Sequence, residues 1–336
     1  MKEAIVDKGP KVTIHDVPIP KPNADQVLIK VVYSGSNPKD WKRPQNFGKP
    51  HNSGDDIAGI VEEVGENVVE FKKGDRVAAF HEMMTPHGSF AEYAIAWAYT
   101  TFHLPKKTSF EEGATIPLAA MTAAVGLYVR LGLPEPWNAP TTPLPLIVYG
   151  ASGAVGAYAI KLAQASNIHP IIAIAGRGQP FVEKLISPEK GDTIVDYRNG
   201  DDAVVSGIKN TLKKAGVGEV HHAFDAVSEK GSFQNISKVL ATKGGKITLV
   251  LPGADYSDIP KSIEHSLTMV GSVHLDSDFG FAWFRLFSKG LQEGWFTAHP
   301  YEVVPGGLNG VEKGLSNLKS GANSATKYVF KIEDTK

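Results

Sequence analysis

The stretch Leu146-Ile147-Val148-Tyr149-Gly150-Ala151-Ser152-Gly153-Ala154-Val155-Gly156 decides how this chain is read. Four consecutive apolar residues suit a short strand buried on both faces, and a glycine-rich turn follows them directly. Val155 to Ala165 then reads as a helix. Beyond it, strands and helices alternate. Pro170–Ile174 is a second strand, Phe181–Ile186 is helical, Thr193–Val195 is a third strand and Asp202–Lys214 a second long helix. His222–Asp225, Lys246–Leu251 and Leu267–Val273 make the fourth, fifth and sixth strands. Such alternation predicts a parallel sheet with crossover helices, an α/β fold. Upstream the pattern differs. Val27–Tyr33, Ile57–Val64, Arg76–Phe80 and Gly88–Ile95 are short strands separated by Gly and Pro, which predicts a small β-barrel or sandwich. Ser109-Phe110-Glu111-Glu112 starts a helical region, and Leu118–Leu131 is an Ala-rich helix that ends at the proline cluster Pro134 to Pro145. The tail has an amphipathic helix near Phe281–Glu293 and a last strand, Lys327–Ile332.

A glycine turn between strand and helix has a chemical use. N–H groups at a helix N-terminus carry partial positive charge, and glycines let the backbone approach an anion closely. Gly150, Ser152, Gly153, Ala154, Val155 and Gly156 therefore form a candidate cradle for the pyrophosphate of a dinucleotide, in the strand–turn–helix setting that this fingerprint requires. The end of the second strand discriminates between cofactors. An NAD-preferring site places a carboxylate there for the ribose hydroxyls, whereas this chain reads Ala175-Gly176-Arg177. A guanidinium pairs with a 2′-phosphate, so NADPH is the expected cofactor; a solvated surface arginine is the alternative. Tyr197 is a candidate for the adenine end, or a packing tyrosine. Leu251, Val273 and His274, just after the fifth and sixth strands, lie where ligands bind in such sheets.

Composition narrows the class further. A chain of 336 residues is long enough for two cores. Lys and Arg (35) nearly balance Asp and Glu (36), so no basic field points to nucleic acid as a partner. The absence of cysteine excludes disulfides, thiol catalysis and thiolate-bound metals. No apolar run is read as a membrane span, and Met1–Asp16 lacks the apolar block of a signal peptide. A cytoplasmic protein with a small-molecule substrate is expected.

Gly54-Asp55-Asp56-Ile57-Ala58-Gly59, Gly74-Asp75-Arg76-Val77, Gly88-Ser89-Phe90-Ala91-Glu92-Tyr93 and the Gly150–Gly156 turn, taken as a set, resemble the medium-chain dehydrogenase/reductase superfamily over essentially the whole chain. Within it the chain looks like the zinc-independent quinone oxidoreductase and enoyl reductase branch. Ser36-Asn37-Pro38-Lys39-Asp40-Trp41 and the proline-rich insert are similar to fungal zinc-type alcohol dehydrogenase-like proteins, which include trans-acting enoyl reductases and concanamycin-induced proteins. The resemblance implies a GroES-like β-barrel catalytic domain (1–123), a Rossmann NADPH-binding domain (124–273) and a return to the catalytic domain (274–336). It also implies a homodimer, formed by edge pairing of Leu267–Val273. Zinc-containing relatives carry Cys, His and Cys where this chain has Asn37, Asp55 and Leu118. Those three do not make a catalytic zinc site, so no metal is expected.

Without a Lewis acid, an activated C=C bond or a quinone is the natural acceptor, since the developing enolate needs only hydrogen-bond donors and a proton. The alternatives are an NADPH-dependent aldehyde or alcohol oxidoreductase and a non-catalytic NADPH-binding protein. Asn37, Thr122 and Lys39 are the catalytic candidates that the resemblance supplies; against each stands a plainer role, as a turn cap, a helix threonine and a solvated loop lysine. Asp55 and Asp56 read as structural, one of them binding loop backbone. His81, Glu82 and His87 fit no metal-ligand spacing and read as scattered surface residues. Lys42, Arg43, His51 and Trp283 are possible lining residues.

Overall fold

A computed structural model describes Met1–Lys336 in full. In chain order, β1 (Lys2–Asp7), β2 (Lys11–Asp16) and β3 (Gln26–Gly35) precede α1 (Pro38–Phe47). Then come β4 (Asp56–Val64), β5 (Arg76–Phe80), β6 (Tyr93–Trp97), β7 (Thr101–His103), α2 (Phe110–Gly113) and α3 (Pro117–Ala124). The middle of the chain holds β8 (Leu146–Tyr149), α4 (Ala154–Ala165), β9 (Ile171–Ala175), α5 (Gln179–Val182), β10 (Thr193–Asp196) and α6 (Asp201–Lys214). It continues with β11 (His222–Asp225), α7 (Ser232–Ser237), β12 (Lys246–Leu249) and β13 (Glu264–Leu267). The tail supplies α8 (Ser277–Glu293), β14 (Tyr301–Val303), α9 (Val311–Ser320) and β15 (Lys327–Lys331).

Two compact units result: residues 1–121 with 271–336, and residues 122–270. In the first, a seven-stranded sheet runs β14-β15-β3-β4-β5-β7, with β6 also on β3. The tail strand β15 pairs antiparallel with β3, Phe330 opposite Ser34, so residues some three hundred positions apart share one core. Val27, Ile29, Val31, Ile57, Val61 and Phe330 are among its buried side chains.

The second unit is a six-stranded, all-parallel sheet in the order β10-β9-β8-β11-β12-β13. Numbered from β8, that is 3-2-1-4-5-6, the order of a doubly wound dinucleotide-binding sheet, whose crevice lies outside the strand C-termini where the order reverses. Val204, Ile208 and Leu212, four apart on α6, pack with Ile147, Ile172, Ile174 and Ile247 of the sheet.

Several expectations need correction. The sixth strand is Glu264–Leu267, not Leu267–Val273; Val270–Leu275 forms a 3-10 turn. Val273, expected at the end of the dinucleotide-binding domain, consequently falls in the first unit. The edge segment expected to pair in a dimer is therefore not a strand. The Leu118–Leu131 helix is α only to Ala124 and continues as π-helix over Val125–Arg130, where Gly126 sits against the Phe224 ring. Residues Phe110–Arg130 are long and apolar enough to cross a membrane by length and composition, but 89% of that window is buried inside the protein. Lys39, whose plainer role was that of a loop lysine, lies in helix α1.

Candidate active site

The second unit builds the dinucleotide cradle from local backbone geometry. Gly150 has φ +76°, and a Cβ there would lie 2.7 Å from Val227 Cγ2. A Cβ on Gly156 would stand 2.3 Å from the Gly150 carbonyl oxygen, so the helix can start this close to the strand only with glycine. Gly153 is the N-cap of α4 and brings no side chain to cap its first-turn N–H groups. Ser152, Gly153, Ala154 and Val155 reach the surface while Gly156 is buried beneath them. These residues fit a dinucleotide pyrophosphate.

Around the turn, Arg177 is exposed one residue beyond Gly176, at the end of β9. Tyr197 stacks on Tyr149 with ring centroids 6.4 Å apart, and its ring covers Gly176, where a Cβ would meet it at 2.6 Å. The structure thus brings Arg177 and Tyr197 to the same end of the sheet as the glycine turn. Leu251 follows β12, and its carbonyl accepts a hydrogen bond from the Tyr256 hydroxyl. Asp225, at the end of β11, organises the neighbouring loop. It accepts from the Val227 N–H (3.0 Å), the Ser228 N–H (2.8 Å) and the Ser232 hydroxyl (2.5 Å). Burial nevertheless pushes its pKa up to about 6. Nothing in the sequence pattern singled out Asp225.

The first unit holds a different kind of site, made of buried charges. Asn37 caps α1 with Pro38 in the first turn, and its backbone N–H donates to Asp40 Oδ2 at 2.7 Å. Its side-chain amide donates to Asp56 Oδ2 at 2.7 Å. The Lys327 ammonium, from β15, donates to the same Asp56 oxygen at 2.6 Å and to Asn37 Oδ1 at 3.1 Å. Asp56 Oδ1 accepts from the Leu118 backbone N–H at 2.7 Å, a bond to the first turn of helix α3 where a bond to loop backbone was expected. Lys327, Asp56 and Asn37 are all buried. Lys327 is a site residue that the sequence did not reveal.

A second lysine cluster lies beside it on α1. The Lys39 ammonium donates to the Ser53 carbonyl and to Asp55 Oδ2, and lies 2.9 Å from Asp40 Oδ1. With two hydrogen bonds and an ion pair, and on helix α1, Lys39 is neither a solvated nor a loop lysine. Burial works against its charge, but the neighbouring Asp40 and Asp55 outweigh that and hold its pKa above the ordinary lysine value. Burial would raise Asp55; Lys39 and a hydrogen bond from His81 hold it below the usual range instead. Asp40 is pushed up to about 7 by burial, against the pull of Lys39. His81 is buried with both ring nitrogens engaged, which corrects its reading as a surface histidine.

These donors do not suit a divalent cation. Asn37 Oδ1 and Asp56 Oδ2 accept from the Lys327 ammonium, and Asp55 is divided between Lys39 and His81. Leu118 contributes only a backbone N–H. A metal ion here would face two fixed ammonium groups.

The remaining candidates scatter. His274 Nδ1 and the Tyr99 hydroxyl are 2.8 Å apart, and the imidazole stacks on Phe80 at 5.5 Å. Burial lowers its pKa. Val273 and Trp283 are core residues of the first unit. Thr122 is buried in α3 and falls in the second unit.

A doubly wound sheet with a glycine cradle, joined to a β-rich unit that the chain tail completes, defines a nicotinamide-dinucleotide oxidoreductase fold. The pattern of the alcohol dehydrogenase GroES-like domain matches residues 23–106. The trans-enoyl reductase fsr4 of Gibberella fujikuroi (strain CBS 195.34 / IMI 58289 / NRRL A-6831) is 54% identical over 315 residues, covering 92% of each chain. The trans-enoyl reductase resD of Aspergillus sclerotiorum is 30% identical over 98% of this chain and 100% of its own. Among solved structures, the CurK enoyl reductase superposes with a TM-score of 0.78 at 17% identity, over 98% of each chain, a likeness of fold. The chain belongs to the medium-chain dehydrogenase/reductase family.

Proposed function

We propose that this oxidoreductase uses NADPH to reduce an activated C=C bond, of an enoyl thioester or enone, or a quinone, and does so without a metal ion. The observation that carries this reading is the pair of lysine–carboxylate clusters at the positions where zinc-containing relatives bind metal. The two relatives named as trans-enoyl reductases support the substrate class.

Bound reduced nicotinamide supplies the hydride. As the β-carbon of the acceptor takes it, the C=C electrons move toward the carbonyl oxygen, and a proton from solvent completes the α-carbon. The protein's task is orientation and a favourable field. Lys39, hydrogen-bonded to Ser53 and Asp55 and ion-paired with Asp40, contributes fixed positive charge rather than a transferable proton. Asn37, which keeps one amide hydrogen beyond the one given to Asp56, is proposed to position substrate or nicotinamide, and so is Thr122. Arg177 selects the 2′-phosphate. The same reading includes a cytoplasmic location and a homodimer, with β13, bonded on one side only, as the sheet edge available for pairing.

The test is NADPH carrying deuterium at the transferable position, offered with an enoyl thioester, an enone, a quinone and an aldehyde. The reading predicts a saturated thioester or ketone with deuterium on its β-carbon. Deuterium only on the carbonyl carbon of reduced aldehyde would replace it with aldehyde reduction. Tight NADPH binding with no turnover of any acceptor would make the chain a binding protein.

A further inference from the structure

His81 lies one residue beyond β5, 2% exposed, and is tied to Asp55 twice. Its backbone N–H donates to the Asp55 carbonyl at 2.9 Å, and its Nδ1 lies 2.9 Å from Asp55 Oδ1. On the other edge of the ring, Nε2 is 2.9 Å from the Pro86 carbonyl and 3.2 Å from the Thr85 hydroxyl oxygen. That hydroxyl donates its own proton to the Glu82 carbonyl at 2.7 Å, so it can only accept from the ring. A carbonyl likewise only accepts, so these partners assign a proton to Nε2. At Nδ1 the ring meets Asp55 through the carboxylate oxygen that does not take Lys39.

We propose that His81 is a positioning residue for the reaction: its ring holds one oxygen of Asp55 so that the other fixes the Lys39 ammonium. The inference rests on the reading of Lys39 as the positive charge that the reaction uses. Asp55 takes the Lys39 ammonium on one oxygen and the His81 ring on the other, so loss of the ring would free the carboxylate to turn away from Lys39. Glu82, His87 and His274 are the other titratable groups around the ring. His81, Glu82, Thr85, Pro86, His87 and Trp97 also line a cavity of about 430 Å³, so the ring stands between Asp55 and a space that a small molecule can enter.

The experiment compares the wild-type chain with His81→Ala and with His81→Gln, which keeps one donor and much of the volume. Brief acetylation with acetic anhydride, read residue by residue by mass spectrometry, reports how firmly Lys39 is held, independently of any turnover. The proposal expects Lys39 to be acetylated severalfold faster in both variants, with Lys327 unchanged. With an enoyl thioester, it expects kcat to fall by about tenfold or more at nearly constant KM. Added imidazole, entering by the cavity, should restore part of the loss in His81→Ala. Unchanged Lys39 acetylation in both variants overturns the proposal. If the wild-type chain turns over no enoyl thioester, the functional reading fails, while the acetylation result still decides the role of His81. Should His81→Ala not fold, His81→Gln carries the test.

Discussion

The two units illustrate opposite ways of making a functional site. In the second, the cradle at Gly150–Gly156 is backbone geometry within seven residues of chain. In the first, the charged cluster joins Asn37, Asp56 and Lys327, so its members meet only when the tail strand β15 docks on β3. A local site depends on which residues can adopt its dihedral angles. A site assembled at long range depends on the stability of the whole unit, and a buried charge in it is costly unless its partner is present. Substitutions that break the two sites should therefore have different consequences.

The largest effect is expected in the first unit. Lys327→Ala leaves Asp56 buried without its cation, and a loss of about 3–5 kcal/mol of stability is expected in chemical denaturation. Replacing both partners with apolar residues, Lys327→Met with Asp56→Leu, should recover much of that loss and so separate the cost of an orphaned charge from the worth of the pair. In the cradle, Gly156→Ala presses a methyl group onto the Gly150 carbonyl, at a cost of about 1–3 kcal/mol of overpacking. NADPH binding, followed by nicotinamide fluorescence, should weaken strongly, whereas Lys327→Ala acts first on folding. Smaller still, Arg177→Ala should lower NADPH affinity by about tenfold, equal to about 1.4 kcal/mol, and leave NADH affinity unchanged. Equal loss for both cofactors would remove Arg177 from 2′-phosphate selection.

A further effect concerns pH. His222, at the start of β11, has its pKa lowered to about 4 by burial, with His221 and Lys246 adding to the shift. The folded state then binds fewer protons than the unfolded state between about pH 4 and the ordinary histidine value of about 6.5, so stability falls as pH drops through that window. His222→Gln should flatten the acid side of a stability–pH profile and leave the neutral side unchanged.

What the sequence made legible follows the same division. Strand β8, the glycine turn and α4 are specified by neighbours in sequence, and their boundaries moved by a residue at most. Helix α1 was legible too, though missed: Asn37-Pro38-Lys39-Asp40 has the N-cap, the first-turn proline and the acidic third residue of a helix start. The sixth strand was misplaced because Leu267–Val273 is apolar for a different reason. Its second half forms a turn whose Val270 and Val273 side chains are buried. Lys327 and His81 could not be read from sequence. Nothing local distinguishes a buried lysine from a solvated one, and the carboxylates that hold these residues lie 271 and 26 positions away.

The most direct measurement is NADPH-dependent turnover of an enoyl thioester by protein stripped with a strong chelator, with its metal content determined, and then again after zinc is added. The account predicts full activity at negligible metal content and no gain from zinc, because ammonium groups occupy the donor atoms of Asn37, Asp55 and Asp56. Activity that vanishes with the metal and returns with zinc in stoichiometric amount would contradict it.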